Sequence, residues 1–222
     1  MTGYRASLGF VVRSLLALFL LSVGCSGTRT IRVESPPRID LSAYQTIGIV
    51  EFSSNSSEKL NQFATQEFMS AVQGAQPGVR FLELGSAEKV VKAVGRAELD
   101  LDAIKAIGKK YQVTSVFTGS YDISNVKPKV SMGTDLSSIN ASAMVKVSMI
   151  SKHWDTATGA TIWTQTRWGQ WPVANVDKQS GQIVSFSLSL PEDRYGQFVS
   201  KLVYGVTNDF RTHYEKRKVP KQ

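Results

Sequence analysis

The sequence predicts an α/β fold: a single layered domain with a mixed sheet, flanking helices and a long C-terminal helix. Three observations carry this. Short apolar runs such as Thr46 to Phe52 alternate with segments whose apolar residues recur every three or four positions, beginning with Glu58 to Val72. Two alternating runs, Ala141 to Met149 and Thr161 to Trp171, flank the turn signal Asp155-Thr156-Ala157-Thr158-Gly159 and read as a hairpin. Near the end, Tyr195, Phe198, Val199, Leu202, Val203, Val206, Phe210 and Tyr214 fall at helical steps.

Taken in order, residues 25–39 are polar, carry Pro36-Pro37 and show no period, so they read as a flexible linker. The folded body is expected over 40–215. Thr46 to Phe52 is continuously apolar and suits a strand covered on both faces. Glu58 to Val72 is a helix with Ser56 or Ser57 as its cap, stopped by Gly74 and Pro77-Gly78. Val79 to Leu84 is a second strand, and Ser86 opens a helix carrying Val90, Val91 and Val94. Asp100 or Asp102 caps the next helix, with Leu101, Ile104, Ile107 and Tyr111 on one side. It leads into the β-branched run Val113 to Ile123, a strand. Lys127 to Ser138 reads as a loop before the hairpin. Lys178 to Gly181 is a second turn, and Val184 to Leu190 alternates apolar residues with serines. Pro191 starts the last helix, which places His213 on its final turn. Residues 216–222 remain as a basic tail. No repeat or second composition regime appears, so one domain is the economical assignment.

The amino terminus has a different logic. Arg5 and Arg13, with no acidic residue, precede the apolar run Leu15 to Val23, and Gly24 stands before Cys25. A basic region, a short apolar region and a small residue describe a secretory signal peptide over residues 1–24. The run is too short for a spanning helix, which needs about 20 residues. Leu21-Ser22-Val23-Gly24-Cys25 resembles the bacterial lipobox, with Ser22 where the motif most often has Leu. That resemblance implies cleavage before Cys25 and a lipid on its thiol. Cys25 is the only cysteine, so no internal disulfide competes for it. Ser26 and Gly27 lack the Asp associated with inner-membrane retention, which points to the outer membrane, facing the periplasm.

Composition narrows the function. The full chain has 222 residues and a formal charge of +8; without Arg5 and Arg13 this becomes 8 − 2 = +6. Much of the excess sits in Arg211, Lys216, Arg217, Lys218 and Lys221, so attraction to acidic partners such as lipopolysaccharide or an acidic protein face is expected. Nucleic acid is a poor partner for an exported chain.

The order Thr46-Ile47-Gly48-Ile49-Val50-Glu51-Phe52, then Ile104 to Tyr111 leading into Ser115-Val116-Phe117-Thr118-Gly119-Ser120-Tyr121, then Asp155 to Gly159 before Ile162-Trp163, resembles the CsgG / TolB-amino-terminal-like group of bacterial envelope proteins. That group includes CsgG-like and LpoB-like lipoproteins. The resemblance runs from about Asp40 to Tyr214 and implies a periplasmic partner-binding module rather than a reaction. It carries over no catalytic residue. Within it, Gly119 permits close backbone approach, Gly159 supplies positive φ in the turn, and Trp163 is a core or sheet-face anchor.

The residues agree. His153 and His213 form no metal-ligand cluster, no Gly-x-Ser-x-Gly elbow occurs, and the phosphate-binding glycine loops are missing. His153 is expected at the surface or in hairpin packing. No enzyme activity, cofactor or metal is expected. Two functions stay open. In one, a lipid-anchored adaptor or assembly factor binds another envelope protein, with Trp154, Trp168 and Trp171 as candidate contacts against the alternative of burial under the terminal helix. In the other, the chain is a subunit of a CsgG-like oligomeric pore, with Gly169 to Leu190 entering the membrane.

Overall fold

The structure, a computed structural model, describes residues 28–124, 127–132, 139–172, 175–179, 182–187 and 192–220. In chain order the elements are β1 (Thr28–Ser35), β2 (Ile47–Val50), β3 (Ser53–Ser54), α1 (Glu58–Ala75), β4 (Phe81–Gly85), α2 (Ala87–Ala93), α3 (Leu101–Tyr111), β5 (Ser115–Ile123), β6 (Lys127–Met132), β7 (Ile139–Asp155), β8 (Thr161–Pro172), β9 (Asn175–Gln179), β10 (Gln182–Ser187), α4 (Glu192–Val206), a 3₁₀ turn (Thr207–Phe210) and β11 (His213–Pro220). They fall into two units, Pro37–Thr212 and a smaller one made by the segments flanking it.

In the larger unit, β2 is buried along its whole length, as its unbroken apolar run requires. It lies parallel between β4 and β5. β7 then pairs antiparallel with β5, and β8 antiparallel with β7, giving the strand order β4, β2, β5, β7, β8. The sheet is therefore open and mixed. Long helical crossovers through α1 and the α2–α3 pair permit the parallel half, and the Asp155–Gly159 turn creates the antiparallel half. Gly159 has φ +76°, and its amide donates to the Asp155 carbonyl at 2.9 Å.

One sheet face packs on α1 and α4. Ile47, Ile49, Phe117, Val145, Val147 and Met149 meet Leu60, Phe68 and Val72 from α1 and Val199, Leu202 and Val206 from α4. The opposite face carries a smaller core, Val50, Val113 and Val116 against Val90, Ile104 and Ile107. Asp100 caps α3 through the Ala103 amide at 2.7 Å, and Ser86 caps α2. Ser57 holds the α1 N-cap position without a side-chain bond; its carbonyl accepts from Leu60 and Asn61.

Several local expectations are corrected. Lys127 to Met132 is a strand, not a loop: β6 pairs with the outer end of β7, bringing Pro128 opposite Ala143, Val130 opposite Ala141 and Met132 opposite Ile139. The last helix stops at Val206 and tightens into a 3₁₀ turn instead of running to Tyr214. Asn208 and Asp209 are poor helix residues. The Arg211 guanidinium donates to the Tyr204 carbonyl at 2.8 Å and so satisfies the frayed end. His213 consequently starts β11. β9 and β10 form their own two-stranded sheet, with Lys178 the fourth residue of β9; Ser180 and Gly181 of the expected turn, and Leu188 to Pro191, lie outside the described residues.

The smaller unit overturns the linker and tail expectations in its described part. Thr28–Ser35 and His213–Pro220 are antiparallel partners along their full length, from Thr28 opposite Pro220 to Ser35 opposite His213. Thr28–Ser35 mixes β-branched with charged residues and His213–Pro220 carries the charged run Glu215 to Lys218, which suits a solvated ribbon; neither alone shows that a partner exists nearly the whole chain away. Cys25 and the segment 1–24 lie outside the described residues.

Candidate functional site: an open sheet face

Helices α2 and α3 cover β4, β2 and the beginning of β5. Beyond them the same face continues across β5, β7 and β8, where Met144, Lys146, Thr164, Thr166, Trp168 and Gln170 are all exposed. The register lays this surface out in rows: Asp122, Ser148 and Trp168; then Ser120, Ile150 and Thr166; then Thr118, Lys152 and Thr164. Because alternate strand residues share a face, Lys146, Ser148, Ile150, Lys152 and Trp154 form the central column.

Two lysine–tryptophan pairs mark its ends. The Lys146 Nζ lies 5.3 Å from the centre of the Trp168 ring, and the Lys152 Nζ 5.3 Å from the Trp154 ring. Trp154 is half-buried, its indole N–H donating to Thr118 Oγ1 at 2.9 Å. Trp168 is 64% exposed and donates to nothing among the described residues. Trp154 and Trp168 thus lie on one open face. Trp171 lies on the other, stacked on Phe198 of α4 with centroids 4.6 Å apart. Trp163 is core, packed on Phe210 and donating its N–H to Asp209 Oδ2 at 3.0 Å.

The face ends at the free edge of β8, which no strand pairs among the described residues. The Thr166 amide donates to the Gln165 side chain at 3.2 Å, and its carbonyl accepts from the Arg167 guanidinium at 3.0 Å. Both groups therefore point away from β7, and by the alternation of an antiparallel ladder so do those of Thr164, Trp168 and Gln170. Gln165 is itself held by Asp209, its Nε2 donating at 3.1 Å. A long, little-charged edge beside an exposed tryptophan is a surface built to be covered.

His153 is not at the surface. It is fully buried in β7, stacked on Phe117 at 4.2 Å and edge-on to Tyr44 at 5.0 Å. Neither ring nitrogen has a hydrogen-bond partner. Burial pushes its pKa down to about 4 against the opposing pull of Asp155. Asp155 is held low by hydrogen bonds from the Thr158 hydroxyl and amide. A neutral imidazole sealed between rings has neither solvent nor a proton partner, so it is a packing residue. No group of three or more His, Cys, Asp or Glu that could hold a metal occurs among the described residues, and none of their helices is long and apolar enough to cross a membrane.

No family model matches the chain, and no curated protein matches it. Among solved structures it aligns with a PelC dodecamer from Paraburkholderia phytofirmans at 12% identity over 82% of this chain and 98% of that one, TM-score 0.40. It aligns with lipoprotein GNA1162 from Neisseria meningitidis at 14% identity over 73% and 98%, TM-score 0.38. With the LpoB C-terminal domain from Escherichia coli the figures are 11% identity, 59% and 87%, and TM-score 0.32. Likeness at this level transfers neither fold nor function.

The sequence singled out Trp154 and Trp168 but offered no reason to join them to Lys146 and Lys152. The Lys146–Trp168 link needs the β7–β8 register, which the Asp155–Gly159 turn sets; Lys152 and Trp154 stand two apart on β7 and share a face once it is a strand.

Proposed function

We propose that this chain is a lipoprotein of the bacterial envelope, anchored in the outer membrane through lipidated Cys25 and facing the periplasm, and that it acts as a non-catalytic adaptor or assembly factor. Its body binds another envelope protein through the open face of β5, β7 and β8. The single observation that supports this most is Trp168, 64% exposed on an ordered strand beside a free edge, where a large aromatic ring has no structural purpose. The lipobox-like Leu21 to Cys25 supports the anchor, and the resemblance over Asp40 to Tyr214 supports the envelope setting.

The test is in-cell photo-crosslinking from a reactive residue at Thr164, repeated with Trp168→Ala. A defined partner should be captured, and truncation of a hot-spot tryptophan, worth about 2 kcal/mol or more, should lower capture by roughly 30-fold without altering the circular dichroism. Capture indifferent to Trp168→Ala would exclude this face as the docking surface. Fatty-acid labelling that persists in Cys25→Ala would remove the anchor separately.

A second proposal, the oligomeric pore, is favoured by the apolar-to-apolar pairing of β6 with β7. Among the described residues β6, β9 and β10 have six, five and six residues, and a barrel strand needs about 9 to 11. Ion conductance of the purified protein in a planar bilayer would decide for the pore.

A further inference from the structure

The pairing of β1 with β11 brings the basic carboxyl-terminal stretch beside the residues that follow Cys25. Thr28 is three residues from Cys25, within about 10 Å of extended chain. The register assigns alternate pairs to the two faces of the ribbon. One face carries Thr28 and Pro220, Thr30 and Lys218, Arg32 and Lys216, Glu34 and Tyr214. Lys216, Lys218, Arg32 and Tyr214 are exposed, Tyr214 to 66%. The three cations make no ion pair among the described residues, not even with Glu34, the one carboxylate on their face; Glu215, on the other face, binds Arg217 and His213.

Two physical features of this face need explaining. Arg32 stands directly opposite Lys216, and like charges at opposed positions destabilise a strand pair unless an anion sits between them. A two-stranded ribbon with both faces largely in solvent is also marginal alone. Something that is anionic and extended over the ribbon resolves both. We infer that the Arg32, Lys216, Lys218 and Tyr214 face lies on a bilayer surface, its cations on anionic phospholipid headgroups and Tyr214 at the headgroup level. A basic patch beside the anchor adds attraction to anionic headgroups of about 1 kcal/mol for each cation near the surface. Tyrosine is favoured at that depth because its ring is apolar and its hydroxyl is wet.

This inference borrows its setting from the proposed anchor at Cys25, but its test does not. The chain from Ser26 onward contains every described residue and carries neither leader nor lipid. It is sedimented with vesicles of phosphatidylcholine alone and of phosphatidylcholine mixed with phosphatidylglycerol. Binding is expected only to the mixed vesicles, to weaken with salt, and to resist millimolar inorganic phosphate. The double variant Lys216→Gln, Lys218→Gln should bind roughly 25-fold more weakly, about fivefold for each cation. Lys92→Gln, which removes an exposed cation of α2, should bind as the parent does. Failure of the parent to bind mixed vesicles, equal binding by the double variant, or displacement by free phosphate would overturn the inference. Failure of Cys25 labelling with vesicle binding intact would instead remove only the anchor.

Discussion

Replacing His153 by phenylalanine isolates one buried charge equilibrium. In the folded chain the imidazole is sealed between Phe117 and Tyr44, without a partner for either nitrogen, and its pKa falls from the ordinary 6.5 to about 4. Below pH 6.5 the unfolded chain takes up a proton that the folded one refuses. Stability from this residue is therefore complete above pH 6.5, declines as the pH falls toward 4, and levels off below. At about 1.36 kcal/mol per pH unit the gap corresponds to about 3 kcal/mol. His153→Phe keeps an aromatic ring on Phe117 and removes both unpaired polar atoms. The variant should therefore lie within about 2 kcal/mol of the parent near neutral pH, relief of desolvation opposing slight overpacking. Urea unfolding followed by tryptophan fluorescence, repeated from about pH 7.5 down to about pH 4, measures both. Carboxylates such as Asp155 lose stability in acid in either protein, so the diagnostic quantity is the difference between the two curves. It should change by about 3 kcal/mol across that window, in favour of the variant at low pH. Parallel curves would mean that the imidazole is hydrated or paired in solution, and His153 could not then be a sealed packing residue.

Three further substitutions probe how the body is closed. The Gln76 side chain accepts from the Leu41 amide at 2.8 Å and donates to the carbonyls of Ile39 at 2.6 Å and Phe210 at 3.0 Å. Gln76→Ala should therefore cost about 3 kcal/mol in chemical denaturation, and a loss below about 1 kcal/mol, the value of one ordinary bond, would show that water replaces it. At Gly119 an added Cβ would fall 2.5 Å from the Phe52 ring. Gly119→Ala should destabilise by about 2 kcal/mol through overpacking. Gly74→Ala meets nothing within 4 Å on α1 and should stabilise by about 1 kcal/mol; equal effects at both sites would refute the contact argument.

Most of the fold was legible because its signals are local. The buried run at Ile47–Val50, the periodicity of α1, the cap at Asp100 and the Asp155–Gly159 turn each specify their element within a few residues. Gly119 and Trp163 were also legible, one as a close approach and the other as a core anchor. The failures share a different cause. β6 carries Pro128 and two lysines and shows no alternation convincing by itself; its strand character comes from pairing with β7. Tyr214 fits the helical spacing of α4 by arithmetic, yet Asn208-Asp209 and the Arg211 cap end the helix before it. For His153 the sequence left surface and hairpin packing open because it adjoins a turn; the unbroken β5–β7 register decides for packing, since strand alternation puts His153 in the core and Trp154 on the open face.

The same distinction bears on the candidate sites. A lone exposed tryptophan or a basic carboxyl end is individually ambiguous, since either is compatible with a solvated surface. Pairing changes what they imply. Across β7 and β8 it sets Trp168 next to Lys146 on a face that none of the described helices covers, and between β1 and β11 it sets Arg32 against Lys216. An unpaired edge is a template for another strand and an opposed pair of cations is unfavourable when left in water, and the described residues cover neither. Each is thus better explained by an external surface than by the chain itself. The first calls for a protein strand or face, because it offers backbone groups and an aromatic ring; the second calls for closely spaced anions, because it offers only charge and a tyrosine.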